Sequence, residues 1–192
     1  MSPPIPFTRD ALIAALNDGA KFDYVLFWGH RKSNDASITK SCFSQWYEVT
    51  FRIGDDLFRT AEHYMMVRKA RLFSDEDSAR AILSATTPNE AKTLGRRVRG
   101  FSEEKWLAHR EEIVFTGNLE KFSQNGVLRR FLLSTGDSIL LEASPTDSIW
   151  GIGLSQDDPR ATDPWSWPGL NLLGFALTKV RGRLKVGVEK TA

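Results

Sequence analysis

Cysteine is nearly absent from this chain: Cys42 stands alone among 192 residues. An internal disulfide is therefore excluded, and a reducing compartment, cytoplasmic or nuclear, is expected. Long apolar runs are missing too. No stretch approaches the roughly 20 residues that a helical membrane span needs, so no membrane partner is expected. Strong charge of one sign is also missing. Lys and Arg number 26 against 24 Asp and Glu, a net charge of +2, which excludes a general polycation but leaves room for a local basic patch. Residues 1–6 carry no basic segment followed by an apolar one, so no secretory signal is expected. The three histidines, His30, His63 and His109, show no paired ligand spacing, and no metal is expected. Neither a glycine-rich phosphate loop nor a Gly-x-Ser-x-Gly elbow occurs, and no cofactor is called for.

What is present suits one globular domain: 41% hydrophobic, 11% aromatic and 26% charged residues. Residues 1–22 read as a Pro-rich lead-in with a short helix over 8–17, capped by Thr8 and stopped by Gly19. Residues 23–28 read as a buried strand ending in Gly29-His30, and 31–42 as a polar loop. An alternating strand over 47–53 turns at Gly54-Asp55-Asp56 into a hairpin with 57–59. Thr60 caps the next helix. Ser74 starts another, with acids in its first turn. Thr87-Pro88-Asn89-Glu90 opens a helix running to Val98. Ser102 caps a long helix through Gln124. A short helix over 127–134, a strand over 138–143 and a closing helix over 170–184 follow. No internal repeat is visible. The pattern predicts an α+β fold in which helices dominate and the sheet is small. The main domain is expected over 23–186, with a tail at 187–192.

Within the Thr60 helix, Glu62 and Lys69 are seven residues apart, about two turns and about 10 Å along one face. A lysine leaning toward the helix N-terminus brings its amine nearer the carboxylate. A proton-transfer group beside a Schiff-base amine points to chemistry at a carbonyl or a masked carbonyl, such as a sugar anomeric carbon. Glu62 suits that work if burial raises its pKa, and Lys69 if desolvation lowers its own. A close pair stabilises both charges and titrates as a unit. Whether the amine forms the imine or holds Glu62 in place is left open by the sequence.

Six tryptophans are many for this length. Trp28, Trp46, Trp106 and Trp150 stand at element ends or beside glycines, where a base can stack, at about 1–3 kcal/mol per base. Core or rim packing is the competing reading, and Trp106 and Trp150 are the preferred stackers. Trp165 and Trp167 lie in a Pro-rich loop and read as lid or packing residues. Arg96, Arg97 and Arg99 form one basic cluster, which suits either a helix C-terminus or a phosphate. The helix N-termini at Thr60 and Ser102 are further phosphate candidates. Asp147, three residues before Trp150-Gly151, reads either as a cap or as a second carboxylate on the sugar.

Several segments together resemble the NADAR family of N-glycosidases. They are Phe27-Trp28-Gly29-His30, Phe43-Ser44-Gln45-Trp46, Thr60-Ala61-Glu62-His63-Tyr64 continuing to Lys69-Ala70, and Leu94-Gly95-Arg96. Trp106, Asn118-Leu119-Glu120-Lys121-Phe122, Leu132 to Asp137, Glu142 to Leu154 and Asn171-Leu172-Leu173-Gly174 complete the series. The resemblance implies a NADAR-like fold and hydrolysis of an N-glycosidic bond to a phosphorylated ribose. It makes Glu62 the catalytic glutamate and Lys69 the candidate for the covalent role. Trp28, Gly29, Ser44, Tyr64, Arg96, Trp106, Asn118, Asp147, Trp150 and Gly151 are then the substrate contacts. Two substrate classes are implied: ADP-ribose on guanine bases, in DNA, RNA (single-stranded in either case) or free nucleotide, and ribosylamino-pyrimidine phosphates of the riboflavin pathway. A non-catalytic ADP-ribose module, with Glu62 and Lys69 as a structural ion pair, is the alternative from a different class. Oligomeric state and base preference are not legible.

Overall fold

The computed structural model describes residues 4–189, the last three by their backbone alone. Residues 1–3 of the expected lead-in and 190–192 of the expected tail lie outside the described residues. Along the chain come α1 (Arg9–Asn17), β1 (Tyr24–Phe27), a 3-10 turn (Lys40–Phe43), β2 (Phe51–Ile53), β3 (Asp56–Phe58) and α2 (Ala61–Leu72). Then follow α3 (Glu76–Ser84), α4 (Pro88–Gly95), α5 (Glu103–Gln124), α6 (Gly126–Ser134), β4 (Ile139–Glu142), a second 3-10 turn (Pro164–Ser166) and α7 (Leu172–Glu189). This is an α+β chain in which helices dominate over two small two-stranded sheets. Its contacts gather into two units, residues 1–44 with 127–192, and residues 45–126. No helix of the described residues is long and apolar enough to cross a membrane.

In the first unit β1 and β4 pair in parallel, Tyr24 opposite Ile139 and Phe27 opposite Glu142. The core against them holds Leu12, Ile139, Leu141, Ala143, Ile152, Leu154, Ala161, Trp167 and Phe175. Trp167 is a packing residue, as expected, its indole N–H donating to the Ala161 carbonyl at 2.9 Å. Trp165 stays exposed. The closing helix starts at Leu172 rather than at 170. Asn171 sits in the left-handed region at φ 55 and spends its side chain on β4: Nδ2 donates to the Leu140 carbonyl and Oδ1 accepts from Glu142 N–H. No proline follows to stop α7, and it runs past Leu184 to Glu189.

In the second unit α2 is the central element, packed by α3, α4 and α5. Eight of its residues are buried, from Ala61 to Val67 and Ala70. Small residues let the neighbours close in. A Cβ on Gly95 would strike the Met66 side chain, and one on Gly117 the Tyr64 ring. Tyr64 packs edge-on against Phe58, with ring centres 5.1 Å apart, and beside Phe51 at 6.2 Å. The strand expected over 47–53 shrinks to Phe51–Ile53. The Thr50 carbonyl just before it accepts from Asn125 Nδ2, while Val49 N–H still reaches the Arg59 carbonyl across the hairpin. Further back, the Gln45 carbonyl accepts from Glu62 N–H. The helix expected from Ser74 is capped instead by Asp75, whose carboxylate accepts from Ser78 N–H and from Arg99. The α4 helix ends at Gly95, short of Val98, where Arg96 forms the C-cap.

Thr60 caps α2 as expected, accepting from His63 N–H. Its hydroxyl then donates to His63 Nδ1, and His63 Nε2–H donates to the Ala85 carbonyl at 3.2 Å. That network assigns the neutral Nε2–H tautomer. Burial is the main force holding the imidazole pKa below its usual value. Protonation therefore favours the unfolded chain. Stability present above the unfolded imidazole pKa of about 6.5 is lost as pH falls from there through the lower folded value. Urea midpoints at pH 7.5 and 5.5 should show this drop, and His63→Gln should flatten it.

Candidate functional site

Glu62 occupies the second position of α2, and only 3% of it is exposed. Thr60 caps the helix just before it, and the whole first turn is buried. The Glu62 backbone N–H reaches the Gln45 carbonyl at 3.0 Å. The Gln45 side chain in turn accepts from Asn118 Nδ2 at 2.7 Å, and that nitrogen also donates to the Val114 carbonyl at 2.8 Å. Both amides are buried, Asn118 completely. Asn118 Oδ1 faces no hydrogen-bond donor among the described residues. Tyr64, seated on Gly117, completes this group. Three of the expected site residues, Glu62, Tyr64 and Asn118, thus come together at the start of α2.

Lys69 has different surroundings, two turns further along. Its amine donates to the Gly95 carbonyl at 2.9 Å. It lies 4.5 Å from the Phe101 ring centre and 5.7 Å from that of Trp106. Loss of water around the amine, with Arg96 adding repulsion, lowers its pKa, the direction that a Schiff-base lysine requires. The expected lean of the amine back along the helix gives way to a bond across to α4, because a helix-end carbonyl is an unsatisfied acceptor. Lys69, Arg96 and Trp106 make a second group, with Phe101 about half exposed beside them. Of the basic cluster, Arg99 is spent on Asp75 and Asp77, whereas Arg96 is an exposed C-cap. The side chains of Thr60 and Ser102 take up N–H groups of their own helices.

The remaining expected residues lie in the first unit, all but Ser44 in the segments after the carboxyl ends of β1 and β4, the edge where parallel strands present ligand sites. Trp28 and Gly29 follow β1, and Trp28 is 63% exposed. Asp147, Trp150 and Gly151 follow β4. Ile152 N–H returns to the Glu142 carbonyl, so Gly151 packs flat against that strand end. Asp147 performs the capping role: Oδ1 accepts from Ile149 and Trp150 N–H at 2.9 and 2.7 Å. Ser44 closes the first 3-10 turn, which packs on β1. Among the described residues no three His, Cys, Asp or Glu side chains are placed to hold a metal ion.

Sequence reasoning passed over Gln45 and Lys121. Lys121 is wholly buried, with its amine 5.8 Å from the Tyr47 ring centre and 5.2 Å from that of Phe122. The signal was present in the spacing. Val114, Gly117, Asn118, Lys121 and Phe122 form the buried stripe of α5, at the 3–4 intervals of a core-facing helix. An amide and an amine in such a stripe mark a site, since buried polar groups are retained only with partners or a purpose.

The model of the NADAR domain family matches residues 26–185. The N-glycosidase R617 of Acanthamoeba polyphaga mimivirus is 43% identical over 163 residues, 82% of this chain and 94% of that protein. The riboflavin biosynthesis protein PYRR, chloroplastic, of Zea mays is 34% identical over 141 residues, 69% of this chain but 21% of that protein. The NMR structure of the E. coli protein YbiA superposes with a TM-score of 0.67 at 24% identity, covering 87% of this chain and 88% of that one.

Proposed function

The chain belongs to the NADAR domain family, and we propose that it hydrolyses the bond between ribose C1 and an exocyclic amine, with ADP-ribosylated guanine as its substrate. N-glycosidase activity, a hydrolase reaction, is the common ground with its relatives. The buried carboxylate of Glu62 in the first turn of α2 carries the reading; the backbone N–H of the same residue bonds to Gln45, the partner of Asn118. Glu62 delivers a proton to the departing nitrogen as the C1–N bond breaks. It then takes a proton from the water that bonds to C1. The products are the free amine and a C1 hydroxyl, and Glu62 ends as it began. Asn118 Oδ1 is a buried acceptor that meets no donor among the described residues. In the alternative route the ring opens to an iminium and a lysine captures C1 before water releases it. The lowered pKa of Lys69 supports that role.

The likeness to a riboflavin biosynthesis protein supports a second substrate, the ribosylamino-pyrimidine phosphates. Both substrates offered to one preparation decide between them. Release of ADP-ribose from the modified guanosine at the higher kcat/KM supports the first reading, and the reverse order supports the second. Borohydride added during turnover should trap an adduct on Lys69 that Lys69→Ala lacks. An adduct that maps to Lys121 moves the covalent role there, and no adduct at all leaves direct attack by water.

A further inference from the structure

Gln45 is bonded both to Glu62 and to Asn118, through different atoms. Its main-chain carbonyl takes the Glu62 N–H at 3.0 Å. That N–H is one of the donors that a helix start leaves without an intrahelical partner, and Thr60 serves the next one, His63 N–H. The Gln45 backbone thus lies against the first turn of α2. Its side chain is held from α5, where Asn118 Nδ2 donates to Oε1 at 2.7 Å.

Neither amide can be turned over. Asn118 Nδ2 also donates to the Val114 carbonyl at 2.8 Å, and a main-chain carbonyl only accepts. The Asn118 nitrogen must therefore stand where it does, with both its hydrogens spent. The atom of Gln45 that faces it must be the oxygen. A carboxamide carries oxygen and nitrogen on one carbon, so fixing Oε1 on Asn118 turns Nε2 away from it.

Nε2 donates to no described residue, since the Asn118 contact is the one hydrogen bond of this side chain. Gln45 is 7% exposed, and Nε2 is not among the sealed polar atoms that lack a partner, so the nitrogen is the end left open. A donor whose orientation is fixed by buried partners is preorganised for an acceptor.

We propose that Gln45 Nε2 donates to a ribose oxygen of the substrate, either the ring oxygen or the hydroxyl beside C1. The assignment rests on the reaction proposed for Glu62, which brings C1 to the first turn of α2. Were Gln45 only a tie between α2 and α5, Gln45→Glu would be harmless: the carboxylate has the same shape and still accepts from Asn118, but it offers no N–H. Gln45→Met is the uncharged companion, which removes the donor without adding a carboxylate near Glu62.

The test is calorimetric titration of the parent and both variants with ADP-ribose and with ribose 5-phosphate, the sugars that the two candidate reactions release. Affinity for the sugar that the parent binds should fall about tenfold in both variants, the order that one lost hydrogen bond costs, and kcat/KM should fall at least as far. The urea midpoint of Gln45→Glu should stay near that of the parent. Binding by Gln45→Glu within about threefold of the parent overturns the proposal and leaves Gln45 a packing residue. A loss in Gln45→Glu that a folded Gln45→Met lacks also overturns it, because the added charge is then the cause. Where Gln45→Met fails to fold, Gln45→Glu decides alone. A parent that binds neither sugar overturns the proposal too. A parent that binds without turnover contradicts the reaction, and the affinities still decide the role of Gln45.

Discussion

Glu62→Gln should lower kcat/KM on ADP-ribosylated guanosine by about 10²–10⁴-fold, the range that a positioned acid–base group contributes. The amide has the size of the carboxylate and can keep a hydrogen bond, yet it can neither give nor take the proton. Two supports for Glu62 act through the backbone and so survive the substitution: the N–H bond to the Gln45 carbonyl and the Thr60 cap. Affinity for substrate and the unfolding midpoint should therefore change little. Loss of rate together with loss of fold would assign Glu62 to packing. Activity within threefold of the parent would remove it from the chemistry.

The largest expected effect on stability is at Gly174. A methyl group there would enter the space of the Leu140 carbonyl and of the Asn171 amide, whose Oδ1 and Nδ2 would lie at 2.5 and 2.6 Å. Neither obstacle is the loose end of a flexible side chain. Leu140 is backbone of a buried strand, and Asn171 is held by two hydrogen bonds to that strand. Relief requires α7 to lift from β4 or Asn171 to surrender both bonds. Gly174→Ala should cost about 3 kcal/mol or more in urea unfolding, through overpacking and lost buried hydrogen bonds. Gly182 on the same helix is the control. A Cβ there meets nothing within 4 Å, and Gly182→Ala should stabilise by about 0.5–1 kcal/mol through helix propensity alone. Equal responses at the two positions would contradict the close docking of α7 on β4.

Local signals carried much of this structure. Thr8, Thr60, Thr87 and Ser102 cap their helices as read, because an N-cap depends on a side chain and an N–H two or three residues away. Contacts of long sequence separation were not legible. The Lys69 amine goes to Gly95, 26 residues on, and Arg99 to Asp75, 24 residues back; nothing in their neighbourhoods announces either. The shortened second strand has the same origin, since the Thr50 carbonyl serves Asn125, 75 residues on, rather than a ladder. Asn171-Leu172-Leu173-Gly174 is one of the segments that carry the family resemblance, and in the structure its asparagine clasps a strand and its glycine admits the contact. Lys121 was visible in the α5 stripe but was overshadowed by Lys69, which has the more familiar spacing from Glu62.

Mass analysis of the products from ADP-ribosylated guanosine in ¹⁸O-water addresses the central claim most directly. The account predicts unmodified guanosine with an intact amine, together with ADP-ribose carrying the label at C1, and neither product from Glu62→Gln on the same timescale. Intact substrate after long incubation with the parent protein, while ADP-ribose still binds, would contradict it.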